Sequence, residues 1–145
     1  MTVLDTSRIR LGGTATDRDA AIREVGQLLV DAGAVTSAYV DAMYDREQTV
    51  STYMGNLLAI PHGTNEAKDE IRSSALAVIR YDSPIDWGGN EVRFVVGIAG
   101  KGDEHLPILS AIALVFSDEA EVQQLLAAQT PDEVLALLGD VNDAS

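Results

Sequence analysis

The chain's 145 residues are enough for one domain with a real core, and a composition 46% hydrophobic and 23% charged is that of a globular protein. Lys and Arg number 10 against 23 Asp and Glu, and the net charge of −13 repels nucleic acid and anionic lipid, which argues against both as partners. The absence of cysteine removes disulfides, thiol nucleophiles and zinc–thiolate sites; with apolar runs far short of the roughly 18 residues of a membrane span and no signal-type run at the N-terminus, no membrane insertion and a cytoplasmic location are expected.

In chain order, Val3-Leu4 and Ile9-Arg10-Leu11 read as short strand pieces ahead of Gly12-Gly13. Thr16 or Asp17 then caps a helix from about Arg18 to Ala32, whose Ile22, Val25, Leu28 and Leu29 share one face, with Gly33 as its stop. A second helix opens at Thr36 or Ser37 and places Tyr39 and Met43 four apart. Its pattern fades near Asp45-Arg46-Glu47, so Arg46 arrives at a helix end. On spacing alone such an arginine is a solvated cation or a partner for Asp45 or Glu47.

Leu57 to Ile60 is an apolar run too short for a helix and reads as a buried strand. Pro61 has no N–H for a ladder and ends it, which leaves His62 at a strand's end. Gly63 permits another group to approach closely, and Thr64 offers a hydroxyl and an N–H. Strand ends in open α/β sheets are where ligands bind. By themselves these features favour a loop or core histidine over a functional one.

Asn65 to Arg72 is polar, a short helix or loop, and Ala75 to Ile79 is the next buried strand. Turn formers follow in Asp82-Ser83-Pro84 and Asp86-Trp87-Gly88-Gly89-Asn90. The seven aromatics are scattered, so Trp87 reads as a packing or turn residue and direct sugar binding is not supported. Val92 to Ala99 is the strongest strand, running into Gly100-Lys101-Gly102-Asp103, where Asp103 can cap a helix through Leu109, Ile112 and Phe116 with Pro107 in its first turn. His105 thereby falls at a helix N-terminus, a natural place for an anion. The glycines lack P-loop spacing, which disfavours a nucleotide kinase. Two more helices, Glu119 to Ala128 and Pro131 to Leu138 with Thr130 as cap, precede a stop at Gly139 and a frayed end from Val141 to Ser145.

The chain has only two histidines, and both are placed where strands meet turns. A neutral imidazole is a competent nucleophile near pH 7 and forms a reactive phosphoramidate, suited to receiving and releasing a phosphoryl group. Metal hydrolysis is the weaker alternative, because no HxH or HExxH spacing exists.

Met54 to Thr64, with Arg46-Glu47 upstream and Gly102-Asp103-Glu104-His105-Leu106 downstream, resembles the mannitol-type enzyme IIA of the phosphoenolpyruvate-dependent sugar phosphotransferase system. The stretches "GNLLAIPHGT" and "GIAGKGDEHL" carry the likeness, which spans nearly the whole chain. It implies one α/β domain over residues 1–145, a mixed sheet of about five strands flanked by helices on both faces. It implies His62 as acceptor of a phosphoryl group from phosphorylated HPr, His105 as a donor to a phosphoryl oxygen, and Arg46 as a clamp, with no cofactor or metal. The group would pass to a cysteine of the IIB component of a sugar permease. Glu104 or Asp103 is a candidate for orienting the His105 ring. The wider family includes nitrogen-regulatory members that act by binding other proteins; the "TYMGNLLAIPHGT" and "GKGDEHL" stretches favour the mannitol type.

Overall fold

The computed structural model describes residues 3–138 and 141–142. In chain order its elements are Ile9–Leu11 (β1), Arg18–Asp31 (α1), Ser37–Thr49 (α2), Tyr53–Gly55 (β2), Leu58–Ala59 (β3), Ala75–Trp87 (β4), Asn90–Ala99 (β5), His105–Phe116 (α3), Glu119–Ala127 (α4) and Pro131–Leu137 (α5). Short 3-10 turns lie at Thr6–Arg8, Asn65–Glu70 and Gly102–Glu104. The strands form one sheet in the order β1-β4-β5-β3-β2. It is mixed: β1 runs parallel to β4 and β3 parallel to β5, while β4 with β5 and β2 with β3 are antiparallel.

Alternation along β4 and β5 builds two cores. Ala77, Ile79, Tyr81 and Val95 point to the layer of α1 and α2, whereas Leu76, Val78, Phe94, Val96 and Ile98 point to α3, α4 and α5. Burial on both faces is why these strands read as unbroken apolar runs. Asp17 caps α1 by accepting from Ala20 N at 2.8 Å, and Thr130 caps α5 by accepting from Glu133 N at 3.2 Å.

Several expectations are corrected. Val3-Leu4 is buried but forms no strand, joining the sheet's edge through one bond from Leu76 N to Val3 O at 2.8 Å. Asp82-Ser83-Pro84 is not a turn but an exposed part of β4, placed where the register with β5 shifts between Arg80 and Ile85. A bulge tolerates Pro84, which has no N–H to give. The hairpin instead closes at Gly88-Gly89, both with positive φ (63° and 93°), a turn that suits glycine. Tyr53–Gly55 was not anticipated as a strand. β3 is shorter than Leu57 to Ile60 because Asn56 (φ 49°) and Leu57 (φ 72°) take left-handed backbone at its start. Asp103 does not cap α3, because the 3-10 turn places Glu104 at the cap position and no side chain bonds there. In the expected frayed end, Val141 is buried, and Asn142 accepts from Val3 N and Leu4 N and donates to Leu4 O. Gly139 and residues 143–145 lie outside the described residues.

The α1 residue Glu24 ties the segment before that helix to β4. Its carboxylate accepts from Thr14 N (3.0 Å), Ala15 N (3.1 Å), the Tyr81 hydroxyl (2.7 Å) and Arg10 (3.0 Å). Burial pushes its pKa up, but these donors outweigh burial and hold it at about 2. A carboxyl depressed on folding stabilises above its unfolded value of 4.5, and that stability is lost as pH falls toward 2. Urea midpoints should therefore drop between pH 5 and pH 3, and Glu24→Gln should flatten that dependence; an unchanged pH slope in the variant contradicts the account.

Candidate functional site

β3 delivers Pro61 and His62 to one end of the sheet. Pro61 O accepts from Ile98 N at 3.0 Å, and His62 pairs as a lone parallel bridge with Ile98 of β5. The ring of His62, part-buried, folds back so that Nδ1 lies 2.8 Å from Ile60 O. A carbonyl only accepts, so Nδ1 carries the proton and Nε2 the lone pair. Gly63 admits the close neighbour expected of it: a Cβ there would lie 2.5 Å from Cε1 of Tyr39. The Tyr39 hydroxyl accepts from Gly63 N at 2.9 Å and donates to Ile98 O at 2.8 Å.

His105 arrives from the other side as the first residue of α3. Gly100, at the end of β5, makes this possible, since a Cβ there would be 2.5 Å from His105 Cα. The imidazole centroids of His62 and His105 are 5.2 Å apart, with the rings tilted 54°. Neither Glu104 nor Asp103 orients the His105 ring by a hydrogen bond among the described residues. Asp103 is exposed, and Glu104 Oε2 is buried with no partner.

Arg46, on the last turn of α2, donates from Nη1 to Val50 O at 2.7 Å. Its neighbour Glu47 is 3% exposed and faces the other way. The Glu47 carboxylate accepts from Thr52 N (2.6 Å), the Thr52 hydroxyl and Trp87 Nε1 (3.2 Å). Sequence reasoning missed this, because nothing in the spacing distinguishes a buried Glu47 from a surface partner of Arg46. Tyr39 was read only as lying four residues from Met43 on one face of its helix.

Burial pushes the His62 pKa down; its bond to Ile60 opposes that, the Arg46 charge adds to it and Glu47 partly offsets it. His105 is also lowered, by burial first and then by the charges of His62 and Lys68. Two imidazoles kept neutral, one with a free Nε2 and with the Arg46 charge felt at its ring, can offer a lone pair and N–H donors to an incoming anion. A cavity of about 550 Å³ lies elsewhere, at the opposite end of β3, lined by Tyr53, Asn56, Leu57, Glu91, Glu119 and Val122, and no histidine borders it. Among the described residues no three His, Asp or Glu converge as a metal site, and no helix is long and apolar enough to cross a membrane.

Residues 2–141 match the family described as phosphoenolpyruvate-dependent sugar phosphotransferase system, EIIA 2. The chain is 51% identical over 142 residues to the mannitol-specific phosphotransferase enzyme IIA component of Halalkalibacterium halodurans, covering 98% of each. It is 43% identical over 143 residues to the protein of that name from Bacillus subtilis, covering 98% of this chain and 100% of that one. In fold it is similar to enzyme IIAMTL in complex with phosphorylated enzyme IIBMTL from Escherichia coli, with a TM-score of 0.88 at 35% identity over 94% of this chain and 96% of the other.

Ring titrations followed by NMR should place both histidines below the ordinary 6.5, and Arg46→Ala should raise the His62 midpoint by removing a neighbouring cation. A depressed histidine pKa means the unfolded chain binds protons first as pH falls, so stability should decline below about pH 6.5. A His62 midpoint at or above 6.5, or one that does not move in the variant, contradicts this electrostatic account.

Proposed function

The chain belongs to the EIIA 2 family of the phosphoenolpyruvate-dependent sugar phosphotransferase system, and from that premise we propose that His62 Nε2 is the atom that carries its phosphoryl group. The protein is a phosphoryl carrier for mannitol uptake: it accepts the group from phosphorylated HPr and hands it to the IIB component. Residues 1–145 form one such domain, working in the cytoplasm where HPr is met. The observation that carries the site assignment is the pair of imidazoles 5.2 Å apart, one of them with Nδ1 bonded to Ile60 O.

In the accepting step the Nε2 lone pair attacks phosphorus in line with the departing nitrogen of phospho-HPr. One P–N bond forms as the other breaks, and HPr leaves with its electron pair restored. The transition state is loose, with charge on the equatorial oxygens, so positioning and electrostatics dominate. His105 supplies an N–H to one oxygen and Arg46 a planar fork of donors. Onward transfer reverses the sequence: an IIB thiolate attacks phosphorus, and Nε2 recovers its lone pair.

The rim of the site suits a transient partner. Leu106, beside His105, is 69% exposed and Val50, held by Arg46, is 60% exposed. These are apolar groups that a docking face covers. A regulatory role of the nitrogen type is disfavoured by relatives of mannitol-specific name that cover 98% of the chain.

His62→Ala should abolish labelling from phosphoenolpyruvate, enzyme I and HPr; unchanged labelling means the nucleophile is elsewhere. His105→Ala should still be labelled but transfer onward to a mannitol-specific IIB about a hundredfold more slowly. Arg46→Ala should slow transfer by a comparable factor without moving the unfolding midpoint, and a large loss of stability would return that residue to a structural role. Failure of the unmodified phosphoprotein to pass its group to that IIB would revive the regulatory reading.

A further inference from the structure

The last rung between β3 and β5 is irregular. In a parallel ladder the pairing of His62 with Ile98 asks for two bonds, from Ile98 N to Pro61 O and from Gly63 N to Ile98 O. The first is present at 3.0 Å. The second is replaced by a relay: Gly63 N donates to the Tyr39 hydroxyl at 2.9 Å, and that hydroxyl donates to Ile98 O at 2.8 Å. One phenol oxygen from α2 thus stands inside the rung, directly after the residue that carries the phosphoryl group.

Three further observations fit this insertion. Residue 63 is glycine, and a Cβ there would meet the Tyr39 ring at 2.5 Å. Tyr39 is 2% exposed, and burial raises its pKa against the smaller opposing effect of the Gly63 bond, so the hydroxyl keeps the proton it donates. Without it the buried Ile98 carbonyl and the half-buried Gly63 amide would both lose this partner, a cost proteins avoid. The oxygen lets the chain lift off the sheet at Gly63 while every polar group stays satisfied.

We infer that Tyr39 is a positioning residue for His62, fixing the backbone on the C-terminal side of the nucleophile by completing the last rung of the ladder. Its hydroxyl acts through Gly63 and Ile98, not on the phosphoryl group. Bonds to Ile60, before the ring, and to Gly63, after it, then hold the imidazole from both sides. Arg46 follows about two turns further along the same helix, so α2 sets both the nucleophile and its clamp. The inference rests on His62 being the phosphoryl acceptor.

Tyr39→Phe keeps the ring and removes the bridging oxygen. It should unfold cooperatively and keep its KM for phospho-HPr, while phosphorylation of His62 at saturating donor slows about tenfold or more, as expected for a misplaced nucleophile. Nitrogen-15 spectra of its His62 ring should show a mixture of tautomers in place of the single Nδ1–H form. Gly63→Ala retains every hydrogen-bonding group but presses a methyl into the ring, and should give the same pattern. Hydrogen exchange on the unmodified protein needs no variant: the Gly63 amide should be protected like a ladder amide. An unprotected Gly63 amide overturns the inference, as does a Tyr39→Phe protein that loses stability yet transfers at the unmodified rate per folded molecule. Absence of label on His62 in the unmodified protein overturns instead the assignment of the nucleophile beneath it.

Discussion

A single hydrogen bond, from the Nδ1–H of His62 to the carbonyl of Ile60, decides what this site can be. It selects one tautomer of an otherwise ambiguous ring, and only that tautomer leaves Nε2 bare. The bond needs a ring that turns back over its own chain. Pro61, whose carbonyl is held by Ile98, supplies the rigid corner that allows it. Every other feature of the site assumes this one: a second imidazole at 5.2 Å or a nearby guanidinium would be idle beside a ring whose lone pair pointed inward.

The charges around that ring follow a consistent logic. Burial keeps both imidazoles neutral near pH 7, when a protonated His62 would have no lone pair to offer. Arg46 would ordinarily be neutralised by the carboxylate next to it in sequence. Instead Glu47 turns inward and is occupied by Thr52 and Trp87, and among the described residues Arg46 makes no ion pair. A cation left without a fixed counterion, its charge felt at the neutral His62 ring, is an electrostatic arrangement that suits an arriving anion.

Much of this was legible in the residues. Period-3.6 apolar patterns located α1 to α5, and unbroken apolar runs located β5 and the first part of β4. The proline after Leu58-Ala59-Ile60 located His62 at a strand's end, and the glycine after it announced a close neighbour before that neighbour was known. Less was legible wherever structure depends on a distant partner. β2 is three residues whose pairing with β3 is itself irregular, so no period could form. Pro84 looked like punctuation because a bulge, visible only in the register with β5, absorbs it. Asp103 has the chemistry of a cap, but the 3-10 turn after Lys101 moved the helix start past it. Tyr39 was placed on one helix face with Met43; its hydroxyl's two partners lie far away along the chain.

The pairing of Glu47 with the indole of Trp87 has an optical corollary. This is the chain's sole tryptophan, fully enclosed, and its N–H points at the carboxylate next to Arg46. Emission from an indole responds to the field and polarity around that N–H, so any shift in the closing turn of α2 alters the fluorophore directly. The protein carries, without labelling, a native optical reporter wired to the helix end that bears Arg46.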